Sequence, residues 1–536
     1  MKFRTLIEGS LATSQVLGSS IAPSAEIARS RAPQIFNAVH NSMRQWGSSL
    51  HHNGMSFFLA AVPKGVLLHH GNSSPDTTTE PDWLAYEIEH AEGFARGRRN
   101  FPPGGPGDRD QKPMRDAEDD DDESHGYLHV YQTTRPMKYI YVDGMGGGKT
   151  TMGTLDAQDF LLRGKRPNDT QSDPWARHRD DSKPPPRKGP GSGGPMDERA
   201  RAVELCELAR QWGLDGITRM EAGFEIIQCD FSNGLEQVQV LQRPGSGGRP
   251  GSGNLGFAGL EWLRGLSERY HGIGSTRTII DYSSMVSAFW FPVNLTNPDP
   301  KRDDLPRLYS VEADELAAIK EYVGKMVLEK RDEEIRTVDW QDVADIIVAR
   351  YGDRLKYMAE GVDSLELMAS EVAFLTTVFV DGEDVQNTEK AVDRCTGFYL
   401  RSVTPVTESD FLIKAAFETT THAICKALFD VQSLVGENQA ASDETLDTAV
   451  EIMKDLTKYL HWAHFKRCPP CALNEVCAIP MWPFGSVEQY NSPRCSNGSD
   501  RDAGESYWGR GPGRGPPHGR PDDGDRKESF LSGSEL

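Results

Sequence analysis

Apolar residues recur along this chain with two different periods, and the change between them divides it. From about residue 54 to 232, short β-branched and aromatic runs alternate with helical stripes; after about residue 305 the spacing is helical. Tyr127 to Asp143 carries two strand-like runs around a turn at Arg135-Pro136, as a pair of strands would. Ala202, Leu205, Cys206 and Ala209 make one helical stripe, and Gly213 stands where a left-handed cap is expected. The chain then extends again through Glu225 to Phe231. Farther on, Leu316, Ile319, Val323, Met326 and Val327 form one stripe, and Val343, Ile346, Ile347 and Tyr351 another. Helix starts are signalled at Thr407, with Asp410 three residues on, and at Ser442, followed by Asp443 and Glu444.

Composition marks what lies between these elements. Arg96 to Gly126 joins RGRR, PPGGPG and the acidic block Asp116 to Glu123, while Gly164 to Gly194 contains PPPRKGPGSGGP; both read as surface insertions. A third linker, at 243–253, precedes a segment holding IIDYSSMVSAFWFPVNLT. The expected fold class is α+β. A leader and approach helix, with a weak secretion signal, covers 1–50; a mixed strand and helix domain covers 51–232, with insertions at 96–126 and 164–194. A linker and intermediate segment (233–305), a helical bundle (306–466), a cysteine-rich segment (467–496) and an unpacked tail (497–536) complete the expectation.

The net charge of −21 argues against a general affinity for nucleic acid or an anionic membrane. No run approaches the roughly 18 apolar residues of a spanning helix, the best being Val372 to Val380. Of the 8 cysteines, four lie from Cys468 to Cys495 in a segment rich in Pro and Trp, where disulfides would replace a core it cannot build. Their pairing is not legible from spacing. The sequons at Asn72, Asn168, Asn294 and Asn497 fit the secretory pathway or an extracellular location, with the cytoplasm as the alternative.

Three constellations offer chemistry. The string DGMGGGKTT, Asp143 to Thr151, invites a phosphate-loop reading around Lys149, but Asp143 occupies the position where such a loop needs its first glycine. That reading requires a nest of backbone N–H groups at Gly146 to Thr150. His461, His464, Cys468 and Cys471 have zinc-ligand types and spacing, yet would leave Cys477 and Cys495 over, whereas two disulfides use all four sulfurs; no metal is expected.

The third is spread over the first domain: VLLHHG (Val66 to Gly71), PDWLAYEIEHAEGFA (Pro81 to Ala95) and GFEIIQCDF (Gly223 to Phe231). These strings, in this order and with WGLDGI before the last, resemble ADP-ribosyltransferases of the His-Tyr-Glu type. The resemblance covers about 180 of 536 residues. It implies NAD as a substrate, with His70 and Gly71 at its ribose, Tyr86 stacked on the nicotinamide, and Glu225 stabilising the oxocarbenium ion that forms as the nicotinamide bond breaks. Phe224 stands where that family has Asn before the glutamate. The strings HNGMSFF, EIEHAE, YVDGM and MEAGFEII also resemble an uncharacterised family of filamentous-fungal proteins.

Two functions therefore compete. One is an ADP-ribosyltransferase or NAD glycohydrolase passing ADP-ribose to an unknown acceptor or to water. The other is a non-catalytic secreted or cell-surface glycoprotein whose helical body binds a protein partner. Engagement of His70, Tyr86 and Glu225 in structural hydrogen bonds would separate the second from the first.

Overall fold

In the computed structural model, nine strands join into one mixed sheet. The residues described are 21–95, 125–165, 198–243, 256–267, 277–333, 338–383, 387–436, 443–497 and 505–508. Residues 1–20 of the leader, the acidic block, the proline-rich insertion, linker residues 244–253, Asn168, the Ser442 cap and most of the tail lie outside them.

The strands are β1 Ser56–Val62, β2 Leu67–Asn72, β3 Asp82–Ala85, β4 Tyr127–Thr133, β5 Met137–Val142, β6 Gly216–Met220, β7 Phe224–Gln228, β8 Leu235–Gln242 and β9 Ile279–Ser287. They run side by side in the order β8-β4-β2-β3-β7-β6-β5-β1-β9. All pairings are antiparallel except that of β5 with β6. The two runs around Arg135-Pro136 are strands, but not partners: β4 pairs with β2 and β8, and β5 with β1 and β6. Arg135 holds this crossing by pairing with Asp215 at 2.7 Å, and the Thr134 amide donates to Gly234.

Helix α1 spans Ala25–Ser30, α2 Ala32–Asn41 and α3 Gln45–Leu50; α4 (Ile88–Glu92) follows β3, and α5 (Glu198–Trp212) leads into β6. In α5 the expected stripe of Ala202, Leu205, Cys206 and Ala209 is buried, and Gly213 caps it at φ +68°. A short π-helical turn, Ala157–Leu162, lies before it in sequence, and α6 (Gly256–Ser267) after β8.

The helical body comprises α7 Ala313–Lys330, α8 Trp340–Glu360, α9 Leu365–Thr376, α10 Thr388–Gly397, α11 Glu408–Leu434 and α12 Asp443–Leu460. All five residues of the first expected stripe are buried in α7, whereas Ile346 of the second is exposed on α8. Thr407 and Asp410 form the reciprocal cap expected at the start of α11. Asp410 also accepts from Ser283 of β9 at 2.8 Å and from the Trp340 indole at 3.0 Å, so one carboxylate joins sheet, α8 and α11.

Sheet and helices share one continuous core. It runs from Ala28 to Trp508 and includes Tyr86, Ile226, Ile347, Phe417 and Leu460. The N-terminal helices are part of that body, since α1 and α2 lie against α11 and the Asn37 amide donates to the Leu460 carbonyl at 3.0 Å. The segment between the linker and the bundle supplies β9, whose strand closes the sheet against β1. Among the described residues no helix is long and apolar enough to cross a membrane.

Disulfides tie Cys206 to Cys229, Cys395 to Cys425, Cys468 to Cys477 and Cys471 to Cys495. The last two use the four C-terminal cysteines, and a two-stranded ribbon, β10 (Val476–Ala478) with β11 (Arg494–Ser496), lies between them with helix α13 (Val487–Asn491). Spacing does not reveal the first two: Cys206 sits in the apolar stripe of α5, and Cys395 and Cys425 close a satellite core with Phe379 and Phe429.

Candidate functional site

Side chains of a strand alternate between the two faces of its sheet, so register decides which residues can share a cleft. His69 lies opposite Ala85, Ala85 opposite Glu225, and Glu225 opposite Arg219, which places these four positions on one face. His70 and Tyr86 are each one residue further along and face the other way. Glu225 is thus separated by the thickness of the sheet from the two residues with which the family resemblance groups it. His69, not His70, shares its face.

Each of the three is occupied where it lies. Burial pushes the Tyr86 phenol up to about 12, and its oxygen is hydrogen-bonded to Thr278 at 2.7 Å. His70 is 5% exposed; its Nδ1 is hydrogen-bonded to the Trp83 carbonyl at 2.8 Å, and its Nε2 lies 3.7 Å from Asp82. Glu225 accepts from Arg219 Nε at 2.9 Å. Gly71 is small for a structural reason, because a Cβ there would sit 2.2 Å from the Ala91 carbonyl oxygen at the end of α4.

Around Glu225 the structure builds a buried chain of charges. Arg219 reaches Glu198 at 2.5 Å and Gln158 at 2.8 Å; Glu198 also pairs with Arg201, which takes Asp159 at 2.9 Å. Arg163 continues from Asp159 to Glu204, and Lys165 ends the chain near the surface. Beside it, Lys149 meets Glu221 at 2.7 Å with its side chain 1% exposed, and its ammonium lies 4.8 Å from the centre of the Trp482 ring. Burial raises the Glu221 carboxyl against the pull of Lys149. Burial would raise Glu198 too, but Arg219, Lys149 and Arg201 outweigh it and hold that carboxyl far below its usual range.

These charges link the β6–β7 hairpin to the glycine-rich loop, the π-helical turn and α5. Breaking one buried pair while leaving its partner charged costs about 3–5 kcal/mol, so the arrangement locks this face of the sheet. The loop itself is no phosphate nest: the amides of Gly147, Gly148 and Thr150 donate to the carbonyls of Met220, Met145 and Gly148. Its lysine serves Glu221. Sequence reasoning singled out Glu225 without Arg219; the usable signal was a basic and an acidic residue inside two apolar strands, either side of the tight turn Glu221 to Gly223.

Residues 24–126 and 102–245 match a family model described as the YPL277C N-terminal domain. The chain is similar to the Saccharomyces cerevisiae uncharacterized protein YOR389W, at 26% identity over 85% of this chain and 82% of that protein. Its likeness to uncharacterized protein YPL277C of the same yeast is 31% identity over 39% of this chain and 42% of that protein. No solved structure matches. Together these likenesses support an uncharacterised fungal protein family as the setting of this chain.

Proposed function

We propose that the chain is a non-catalytic protein of the secretory route, in which the mixed sheet is a braced scaffold and the helical body carries the binding surface. The observation behind this reading is the division of His70 and Tyr86 from Glu225 by the sheet, with each side chain held by a structural partner. Four disulfides that use all eight cysteines fit an oxidising compartment. Asn294 and Asn497 are exposed at their sequons and Asn72 is half-buried at the end of β2, so oligosaccharide can be added at the first two without unfolding the chain.

A second reading, cleavage of NAD at its nicotinamide bond, rests on a different observation. β2, β3 and β7, which carry or adjoin His70, Tyr86 and Glu225, are consecutive in the sheet, and the β2–β3 seam is joined by the single register pair His69 with Ala85. Under that reading the seam opens and Glu225 leaves Arg219 to reach the ribose. The test is nicotinamide release from NAD by the oxidised full chain beside Glu225→Gln. The scaffold reading expects no release above buffer from either protein. Turnover by the wild type that disappears in Glu225→Gln would replace it with the enzyme.

A further inference from the structure

A cavity of about 500 Å³ opens between α8, α12, the short turn Ala463–Lys466 and α13. Its wall carries Lys356, Lys454, Lys458, Lys466 and Arg467 against a single carboxylate, Glu360. In a chain of net charge −21 such a concentration of one sign is not the average surface. The remaining polar lining includes His51, His461, Thr457, Asn491 and Ser492. Asp304, an exposed carboxylate next to the lining, lies 3.5 Å from His461 and 3.4 Å from the Tyr490 hydroxyl.

The basic groups divide by role. Lys356 donates to the Phe465 carbonyl at 2.6 Å, and the Lys466 ammonium lies 4.1 Å from the centre of the Tyr490 ring, so both amines are held in the lining of the cavity by neighbouring groups. Burial lowers the Lys466 ammonium from its ordinary value and Asp304 opposes the shift only in part; burial also lowers the Arg467 guanidinium. Lys454 and Lys458 are exposed and lie one turn apart on α12, where like charges repel. Neither ammonium has an ion-pair partner among the described residues. Two cysteine bridges hold the rim, because Arg467 precedes Cys468 and the segment Asn491 to Pro493 runs into Arg494 and Cys495.

We propose that this cavity binds a small polyanion carrying two or more phosphate or sulfate groups. Its volume suits a small molecule, and its wall offers point charges, a planar guanidinium and neutral donors around one space. The inference does not depend on whether the sheet is catalytic. A soluble phosphate ester and a phosphorylated lipid headgroup share this chemistry.

Titration calorimetry of the oxidised full chain with inorganic pyrophosphate, in phosphate-free buffer, tests it. Saturable binding at one site is expected, weakened at least tenfold in the double variant Lys454→Gln, Lys458→Gln and unchanged in Lys325→Gln, a lysine exposed on α7. Circular dichroism checks that the double variant keeps its fold. Absence of saturable binding by the wild type, or equal binding by the double variant, overturns the proposal. Sedimentation with phosphatidylcholine vesicles containing phosphatidylinositol bisphosphate then separates the sources. Co-sedimentation lost in the double variant assigns the phosphates to a headgroup, and its absence beside pyrophosphate binding assigns them to a soluble ligand.

Discussion

Asp143 accepts a hydrogen bond from the Ser56 amide at 2.8 Å, yet burial outweighs that support and pushes its carboxyl up to about 7. The folded protein therefore holds a proton there that the unfolded chain, with an ordinary value of 3.8, releases. A group of this kind contributes stability that is fully present below about pH 4 and is lost as pH rises through 7. Urea denaturation at pH 4.5 and 7.5 is expected to show the wild type losing stability relative to Asp143→Asn, at up to roughly 1.4 kcal/mol per pH unit across that window. An unchanging difference would mean that the carboxyl is ionised in the fold. Asp281, raised to about 6 by burial, acts in the same direction in both proteins and cancels from the comparison. At this scale the sequence is legible where one residue decides the local backbone, as at Gly213 or the Thr407 cap. Glu225 was legible as a residue of note but not in its role, because its partner Arg219 is defined by strand register and not by any local string.

The disulfide between Cys206 and Cys229 joins α5 to the residue after β7, across the same hairpin that the buried charges hold. Closing a loop of this length stabilises a fold by about 3 kcal/mol through the unfolded chain. Replacing both cysteines by serine is expected to lower unfolding stability by that order while leaving the far-ultraviolet spectrum unchanged; a loss under about 0.5 kcal/mol would show that the charge network alone holds the hairpin. Elements were easier to foresee than their neighbours. The stripe of α7 and the strands β4 and β5 are visible as periods in the chain, but β4 and β5 part to opposite halves of the sheet because Arg135 and Thr134 anchor the crossing to Asp215 and Gly234. The basic cavity shows the same limit. Lys454 and Lys458 have helical spacing, whereas Lys466 and His51 join them only through packing.

Across the whole molecule, the segment that matches the family model ends at residue 245, while the sheet it contains is completed by β9 at Ile279–Ser287. Its first helices pack on α11. Residues 21–245 expressed alone are expected to collect in the insoluble fraction or to bind a hydrophobic dye strongly, since the open side of β1 and the apolar face of α2 lose their cover. A soluble fragment with cooperative urea unfolding would show that the core divides where the matched segment ends.

The N-terminal region is held by distant residues: Ser24 donates to Trp290, Trp46 to Ala463, and the His52 ring bonds the Tyr507 hydroxyl at 2.8 Å. During synthesis the contact of Ser24 must wait for Trp290, and those of Trp46 and His52 for residues 417 and 455 positions further along the chain. Local helices can form early, but residues 24–52 must wait for partners far along the chain before they are covered, and such long-range closure is slow. The nascent chain therefore has a long interval in which α1 to α3 need protection by a chaperone, and a ribosome stalled before Ala463 would leave a product unable to cover them fully.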